Sequence, residues 1–217
     1  VRALVYGASG GLARSLITAL TRRDWSVAAV TRSDAAGHAE AHRVDGAYSG
    51  YQPQTAPDAV FLPQALFVRK PLVQMTDAEI AASLAVGLTD IIRTVRNLLA
   101  TDTDANKRTD YVLIGSTSAY AGFANTAVYC VVKHGLVGLV RALNDEYAGT
   151  AKRFWLFSMG TMDTAMGRTL TDQDETSFLD PDAVAERIVT AITAQDNLFE
   201  PEVVIRRRAV RFKEASR

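Results

Sequence analysis

Three small residues, Gly7, Gly11 and Ala13, follow the apolar run Ala3-Leu4-Val5-Tyr6 and open a helical pattern of Leu12, Leu16, Ile17 and Leu20. A sharp turn needs a residue free of the constraints that a Cβ imposes. Backbone N–H groups at a helix N-terminus attract anions, and a third small residue lets helix and strand pack closely. The combination suits the pyrophosphate of a dinucleotide, with Gly7, Ser9, Gly10, Gly11 and Leu12 around it. The strand–turn–helix setting is what gives a glycine-rich turn this meaning. A second apolar run, Val27 to Val30, ends in Thr31-Arg32. No carboxylate stands there to bind a ribose 2′-hydroxyl, whereas Arg32 can accept a 2′-phosphate, so NADP (NADPH) is favoured over NAD. Farther along, Tyr129 and Lys133 stand four apart in a helical pattern and share one face, a phenol beside an ammonium. Ser116 lies thirteen positions ahead of Tyr129 (116 to 129), at the end of the preceding strand. Cys130 adjoins Tyr129 in sequence, but adjacent helix positions do not share a face, and it reads as a small buried residue.

These residues need a scaffold, and the chain supplies one. After the first two strands, His42 to Asp45 reads as a third, Ala59 to Leu62 as a fourth and Tyr111 to Ile114 as a fifth. Phe154 to Phe157 makes a sixth and Glu202 to Arg206 a last one. A long helix starts at Thr76, where Glu79 completes a capping box, and keeps apolar spacing through Leu98. Another spans Ala127 to Tyr147, and Asp180-Pro181 opens a third through Ile192. Apolar strands without alternation, separated by helices, imply a parallel sheet covered on both faces. The expected fold is a doubly wound α/β sheet of the Rossmann type, one domain over residues 1–217. Between Ser33 and Asp58 the crossovers are expected to be shortened. That stretch is too short for a full helical connection after the second strand, and Gly46, Gly50, Pro53 and Pro57 discourage helix beyond it.

Composition narrows the function. The chain carries 24 basic and 24 acidic side chains, a balance that argues against a nucleic-acid or anionic-membrane partner. The basic group Arg206, Arg207, Arg208, Arg211 and Lys213 reads as a solvated edge. Cys130 is the single cysteine, a usage that fits a reducing, cytoplasmic compartment. The first apolar residues run straight into the glycine turn and read as a strand, not a leader. His38, His42 and His134 offer no convincing ligand set, so no metal is expected.

Taken together, the stretches Gly7-Ala8-Ser9-Gly10-Gly11-Leu12-Ala13, Leu113-Ile114-Gly115-Ser116, Tyr129-Cys130-Val131-Val132-Lys133 and Met159-Gly160-Thr161-Met162-Asp163-Thr164 resemble the short-chain dehydrogenase/reductase family, from residue 1 to about 195. The resemblance implies an oxidoreductase acting between nicotinamide and a carbonyl or secondary alcohol. It assigns Tyr129 as general acid or base, Ser116 as the group orienting the substrate oxygen, and Lys133 as holder of the nicotinamide ribose. A phenol titrates near ~10, too high for base chemistry at neutral pH, and an adjacent ammonium is expected to lower it. Gly160 and Thr164 fall where the family contacts the nicotinamide end, and Asp45 where it often contacts adenine. Residues from Thr161 to Leu179 have the composition of a lid. Family members commonly form dimers or tetramers through two long helices, which implies the same here.

Two departures matter. Leu62-Pro63-Gln64-Ala65 stands where the family has Asn-Asn-Ala-Gly, and Gly87 replaces an asparagine thought to support a proton-relaying water chain. Glycine inside a helix also marks a local kink. These changes keep open an alternative, an NADP-binding protein of this fold without turnover. An epimerase of the longer, extended branch is a weaker reading, since only about twenty residues follow the last helix.

Overall fold

The computed structural model describes residues 1–32, 40–194 and 198–213. Seven strands, β1 (Arg2–Tyr6), β2 (Ser26–Thr31), β3 (Glu40–Arg43), β4 (Ala59–Leu62), β5 (Thr109–Ile114), β6 (Lys152–Met159) and β7 (Glu202–Ile205), form one sheet in the order β3-β2-β1-β4-β5-β6-β7. Every neighbouring pair is parallel. Helices α1 (Gly11–Thr21), α2 (Asp77–Leu84), α3 (Asp90–Thr101), α4 (Ala127–Glu146) and α5 (Pro181–Thr193) pack on it.

Both sheet faces are covered, which is why the strands lack polar alternation. Ala3 and Val5 of β1 join a core with α1 and α5, while Leu4 and Tyr6 join the opposite core with α3 and α4. From β1 the chain builds outward through β2 and β3, then returns to lay β4 on the other edge of β1. The order therefore reverses between β1 and β4. In sheets of this kind a ligand crevice opens beyond the carboxyl ends of the strands at that reversal.

The expected shortening of the crossovers is present where it is described. Between β3 and β4 the helical structure is limited to a 3-10 turn at Tyr48–Gly50. Helix α3 compensates. The Asp90 carboxylate accepts hydrogen bonds from the backbone N–H groups of Tyr48 and Ser49, each at 2.9 Å. Asn97 donates to the Ser49 carbonyl at 2.9 Å, and the Tyr48 ring meets Tyr6 edge-on at 5.9 Å. The β2–β3 link falls largely on residues outside the described set, His38 among them. β3 itself begins two residues earlier than the sequence suggests, because its register pairs Glu40 with Ala28 and Arg43 with Thr31. Asp45 consequently lies past the strand rather than ending it.

The capping box at Thr76 forms as expected, with Glu79 N–H donating to Thr76 Oγ1 at 3.2 Å and Thr76 N–H to Glu79 Oε2 at 2.8 Å. The single long helix expected from that cap is interrupted by a π-helical turn, Ala85–Thr89, between α2 and α3. Gly87 supplies the reason. A Cβ there would come within 2.6 Å of Val132 Cγ1 on α4, so glycine permits a close helix–helix approach that a wider turn accommodates.

Candidate active site

The glycine turn leaves β1 at Gly7, whose φ of +61° is a left-handed conformation that glycine adopts without strain. Gly10 N–H donates to the Gly7 carbonyl at 2.9 Å, closing the turn. Helix α1 then begins with no side-chain cap and no acidic residue in its first turn. Its first turn therefore offers N–H groups suited to an anion, with no acidic side chain there to compete. Ser9, Gly10 and Gly11 are exposed there, while the Leu12 side chain is buried in the core, leaving its backbone to serve the turn. Thr164 arrives from the segment after β6 to lie against the turn. A Cβ on Gly11 would stand 2.6 Å from the Thr164 methyl.

At the other end of the crevice Thr31 is buried and Arg32 exposed. The Arg32 guanidinium lies over the Tyr48 ring, 5.1 Å from its centroid. Asp45 sits beyond β3, exposed and paired with Arg43 at 3.6 Å.

Beyond β5, the Ser116 hydroxyl accepts from Ser118 N–H at 3.1 Å, which fixes its rotamer at the start of a short 3-10 turn. Tyr129 reaches it from the first turns of α4. Burial raises the phenol pKa, and the hydrogen bond with Ser116 offsets part of that rise. Phe67 closes over the phenol ring edge-on, with centroids 4.9 Å apart. Lys133, one helical turn on, is fully buried. Its Nζ donates to the Ile114 carbonyl at 2.7 Å and lies 5.7 Å from the Tyr129 ring centroid. Burial lowers the lysine pKa to about 8.

The structure thus gathers Ser116, Tyr129 and Lys133 at one place, but the expected lowering of the phenol pKa by Lys133 is not what it holds. Desolvation of Tyr129 outweighs any help from an ammonium that is turned toward a backbone carbonyl, and the phenol moves up instead of down. Tyr120 donates its hydroxyl to Glu202 at 2.8 Å. Phe123 is exposed.

Gly160 N–H pairs with the Ile205 carbonyl at 3.0 Å, continuing the β6–β7 ladder, and Met159 is buried. Segment 161–179, expected from its composition to be a lid, is cross-braced. Arg69 grips Asp172 through two hydrogen bonds of 2.7 and 3.0 Å, and Arg207 donates to Gln173 at 2.9 Å. Phe67, Arg69 and Tyr48 were not marked by sequence. They lie in aperiodic stretches, where no spacing rule assigns a side chain to the crevice. Among the described residues no cluster of three potential ligands could hold a metal ion, and no helix is long and apolar enough to cross a membrane.

A parallel sheet reversing between β1 and β4, a glycine turn at that reversal and a Ser–Tyr–Lys group beyond β5 define a dinucleotide-dependent oxidoreductase class. A family profile described as enoyl-(acyl carrier protein) reductase matches residues 56–195, well over half the chain. The chain belongs to the short-chain dehydrogenase/reductase family. Its fold is shared with a short-chain dehydrogenase/reductase from Vibrio parahaemolyticus, at 19% identity and a TM-score of 0.80 over 95% of this chain and 100% of that one. It is shared with 4-hydroxyisoleucine dehydrogenase complexed with NADH, at 18% identity and a TM-score of 0.81 over 94% and 96% of the two chains. An alcohol dehydrogenase from the archaeon Thermococcus sibiricus, complexed with 5-hydroxy-NADP, matches at 19% identity and a TM-score of 0.81 over 94% of each chain.

Proposed function

We propose that the chain is an NADP(H)-dependent enzyme transferring a hydride between nicotinamide and a small carbonyl or secondary-alcohol substrate. The meeting of Ser116, Tyr129 and Lys133 beside the crevice at the strand reversal carries this reading. The residues fit a dinucleotide: the uncapped start of α1 suits its pyrophosphate, and Arg32, braced on Tyr48, suits a 2′-phosphate. Gly7, Ser9, Gly10, Gly11 and Leu12 form the phosphate turn, Thr31, Arg32 and Asp45 stand toward adenosine, and Gly160 and Thr164 stand toward nicotinamide. The bound cofactor supplies or removes the hydride.

Tyr129, kept protonated by burial, donates its proton to the carbonyl oxygen in reduction and takes it back in oxidation. Ser116 orients that oxygen and stabilises its developing charge with a hydroxyl already held by Ser118. Lys133 spends one N–H on Ile114 and offers the others to the nicotinamide ribose. Its titration near neutral pH makes its charge sensitive to what binds beside it. Exposed Ile92 on α3 and Val131 on α4 support a homodimer or homotetramer, and the lone cysteine supports a cytoplasmic setting.

Side-by-side titration with NADPH and NADH tests the reading. NADPH is expected to bind more tightly, Arg32→Ala to erase that preference, and Tyr129→Phe to abolish turnover while sparing binding. Binding of neither cofactor overturns the proposal. Binding without hydride transfer across a broad carbonyl panel favours the non-catalytic alternative that the altered 62–65 segment and Gly87 suggest.

A further inference from the structure

We infer that Arg207 is a substrate-binding residue whose guanidinium receives a carboxylate carried by the carbonyl or alcohol substrate, which makes the substrates oxo and hydroxy acids; the inference rests on the proposed function. Arg207 belongs to the basic group that reads as a solvated edge, and its companions Arg206, Arg208, Arg211 and Lys213 are exposed. Arg207 is half-buried, and loss of solvation holds its pKa below the ordinary arginine value. A charge withdrawn from water is normally paired. Among the described residues, the other lysines and arginines that are buried or half-buried are Arg2, Lys70, Lys107, Lys133, Lys152 and Arg153. All of these but Lys133 meet a carboxylate at 3.7 Å or less. The cations left without one are Arg207 and the lysine of the Ser–Tyr–Lys group.

Arg207 Nη1 donates to Gln173 Oε1 at 2.9 Å and to Ser177 Oγ at 3.3 Å, and the guanidinium lies 5.7 Å from the centroid of the Phe178 ring. All three partners belong to segment 161–179. Nε and Nη2 donate to no described residue, and these two atoms form an edge that a carboxylate meets with both oxygens. The side chain runs over the end of β6. A Cβ built on Gly160 would stand 3.5 Å from Arg207 Cγ and 3.6 Å from Nε. Arg207 therefore leans from β7 back across the sheet, toward the side on which Ser116 and Tyr129 stand. Segment 161–179 joins the two places. Gln173, held by Arg207, follows Asp172, held by Arg69, and Arg69 lies two residues past Phe67 on the Tyr129 ring. A substrate under this segment has the phenol on one flank and a guanidinium on the other.

Distance favours the substrate over the cofactor phosphates. Neighbouring strands lie about 4.8 Å apart, and β7 is four strands from β1, so roughly 19 Å of sheet separates Arg207 from the glycine turn. Ser116, past β5, is two strands away, roughly 10 Å before the arginine's own reach is counted. A short carbon chain between carbonyl and carboxylate spans what remains. Charge favours a carboxylate over a phosphate monoester. One guanidinium balances the single charge of a carboxylate, whereas a phosphate monoester carries nearly twice as much.

The test is calorimetry on the full chain saturated with NADP⁺, where a carbonyl compound binds without turnover because its reduction needs NADPH. The probes are acetoacetate and levulinate, each beside its methyl ester, which keeps the carbonyl and removes the charge. Wild type is expected to bind at least one acid about tenfold or more tightly than its ester, and Arg207→Met to bring that ratio to about one. Arg207→Lys keeps the charge without the two-pronged edge and is expected to retain part of the preference. NADPH affinity, read by fluorescence, is expected to stay at the wild-type value in both variants, which also reports that they fold. Should the Met variant not fold, Arg207→Gln carries the same prediction. A preference that survives Arg207→Met, an ester bound as well as its acid, or no uptake of either acid at millimolar concentration overturns the inference. So does a loss of NADPH affinity in Arg207→Met, which would assign the guanidinium to the cofactor. Wild-type protein that binds no dinucleotide overturns the functional reading along with it, whereas a dinucleotide complex without acid preference removes the inference alone.

Discussion

Replacing Lys133 by methionine is expected to make the ligand-free protein more stable at neutral pH. The ammonium is fully buried with the Ile114 carbonyl as its hydrogen-bond partner, and burial brings its pKa from 10.5 to about 8. In the unfolded chain the lysine keeps its proton up to its ordinary value, whereas the folded protein gives it up near pH 8. Between those limits the unfolded state binds more protons, so stability rises with pH across that window and is flat below it. Each pKa unit corresponds to about 1.36 kcal/mol, so the charged lysine costs roughly 3 kcal/mol at pH 7 and less than about 1 kcal/mol at pH 10. Lys133→Met removes that cost but leaves the Ile114 carbonyl without its donor, a loss of about 1 kcal/mol. The net gain of about 2 kcal/mol at pH 7 corresponds to a melting temperature roughly 4–8 °C higher. Calorimetry on wild type and variant, both free of ligand, reads the gap at pH 7 and again at pH 10, where it is expected to close. A variant less stable at pH 7, or a gap that does not narrow with pH, refutes the reasoning.

Two further outcomes follow from the packing around the site. Phe67→Ala opens the Tyr129 phenol to water, so its pKa is expected to fall toward the ordinary tyrosine value, read by ultraviolet titration of the phenolate. The lost edge-on contact costs stability, by about 0.5–1.5 kcal/mol beyond the area exposed. Gly87→Ala drives a methyl group into Val132 and is expected to cost about 1–3 kcal/mol in chemical denaturation. Val132→Ala in the same chain is expected to restore most of that loss, and no recovery in the double variant would show that the contact is not the cause.

Much of the site was legible because its residues obey local rules. Tyr129 and Lys133 share a face by helical spacing alone, Ser116 lies two residues past the end of β5, and the glycine turn is bracketed by the strand and helix that give it meaning. The cap at Thr76 was equally readable, since both of its partners lie within four residues. Other features depend on contacts across the sheet, and no local pattern reports them. Apolar spacing runs smoothly through 80–98, and Gly87 alone signals a local kink; that the kink is a π turn at Ala85–Thr89 follows only from the position of Val132 on α4 against Gly87. Phe67 sits in a segment without periodicity, and the Tyr129 ring that it meets is distant in sequence. The direction of the Tyr129 shift was missed for a related reason. Spacing places an ammonium near the phenol, but burial of both groups decides which effect wins.

The junction between the π turn and α3 ties together two places that are far apart along the chain. Gly87 in the turn bears on Val132, the immediate neighbour of Lys133, while Asp90, the first residue of α3, holds the backbone of Tyr48, on which Arg32 rests. One helical joint therefore acts as a common gauge for the spacing of the two ends of the crevice. A shift in its pitch displaces the backbone next to the lysine and the ring under the arginine together, so two side chains that share no contact answer to a single kink in the scaffold.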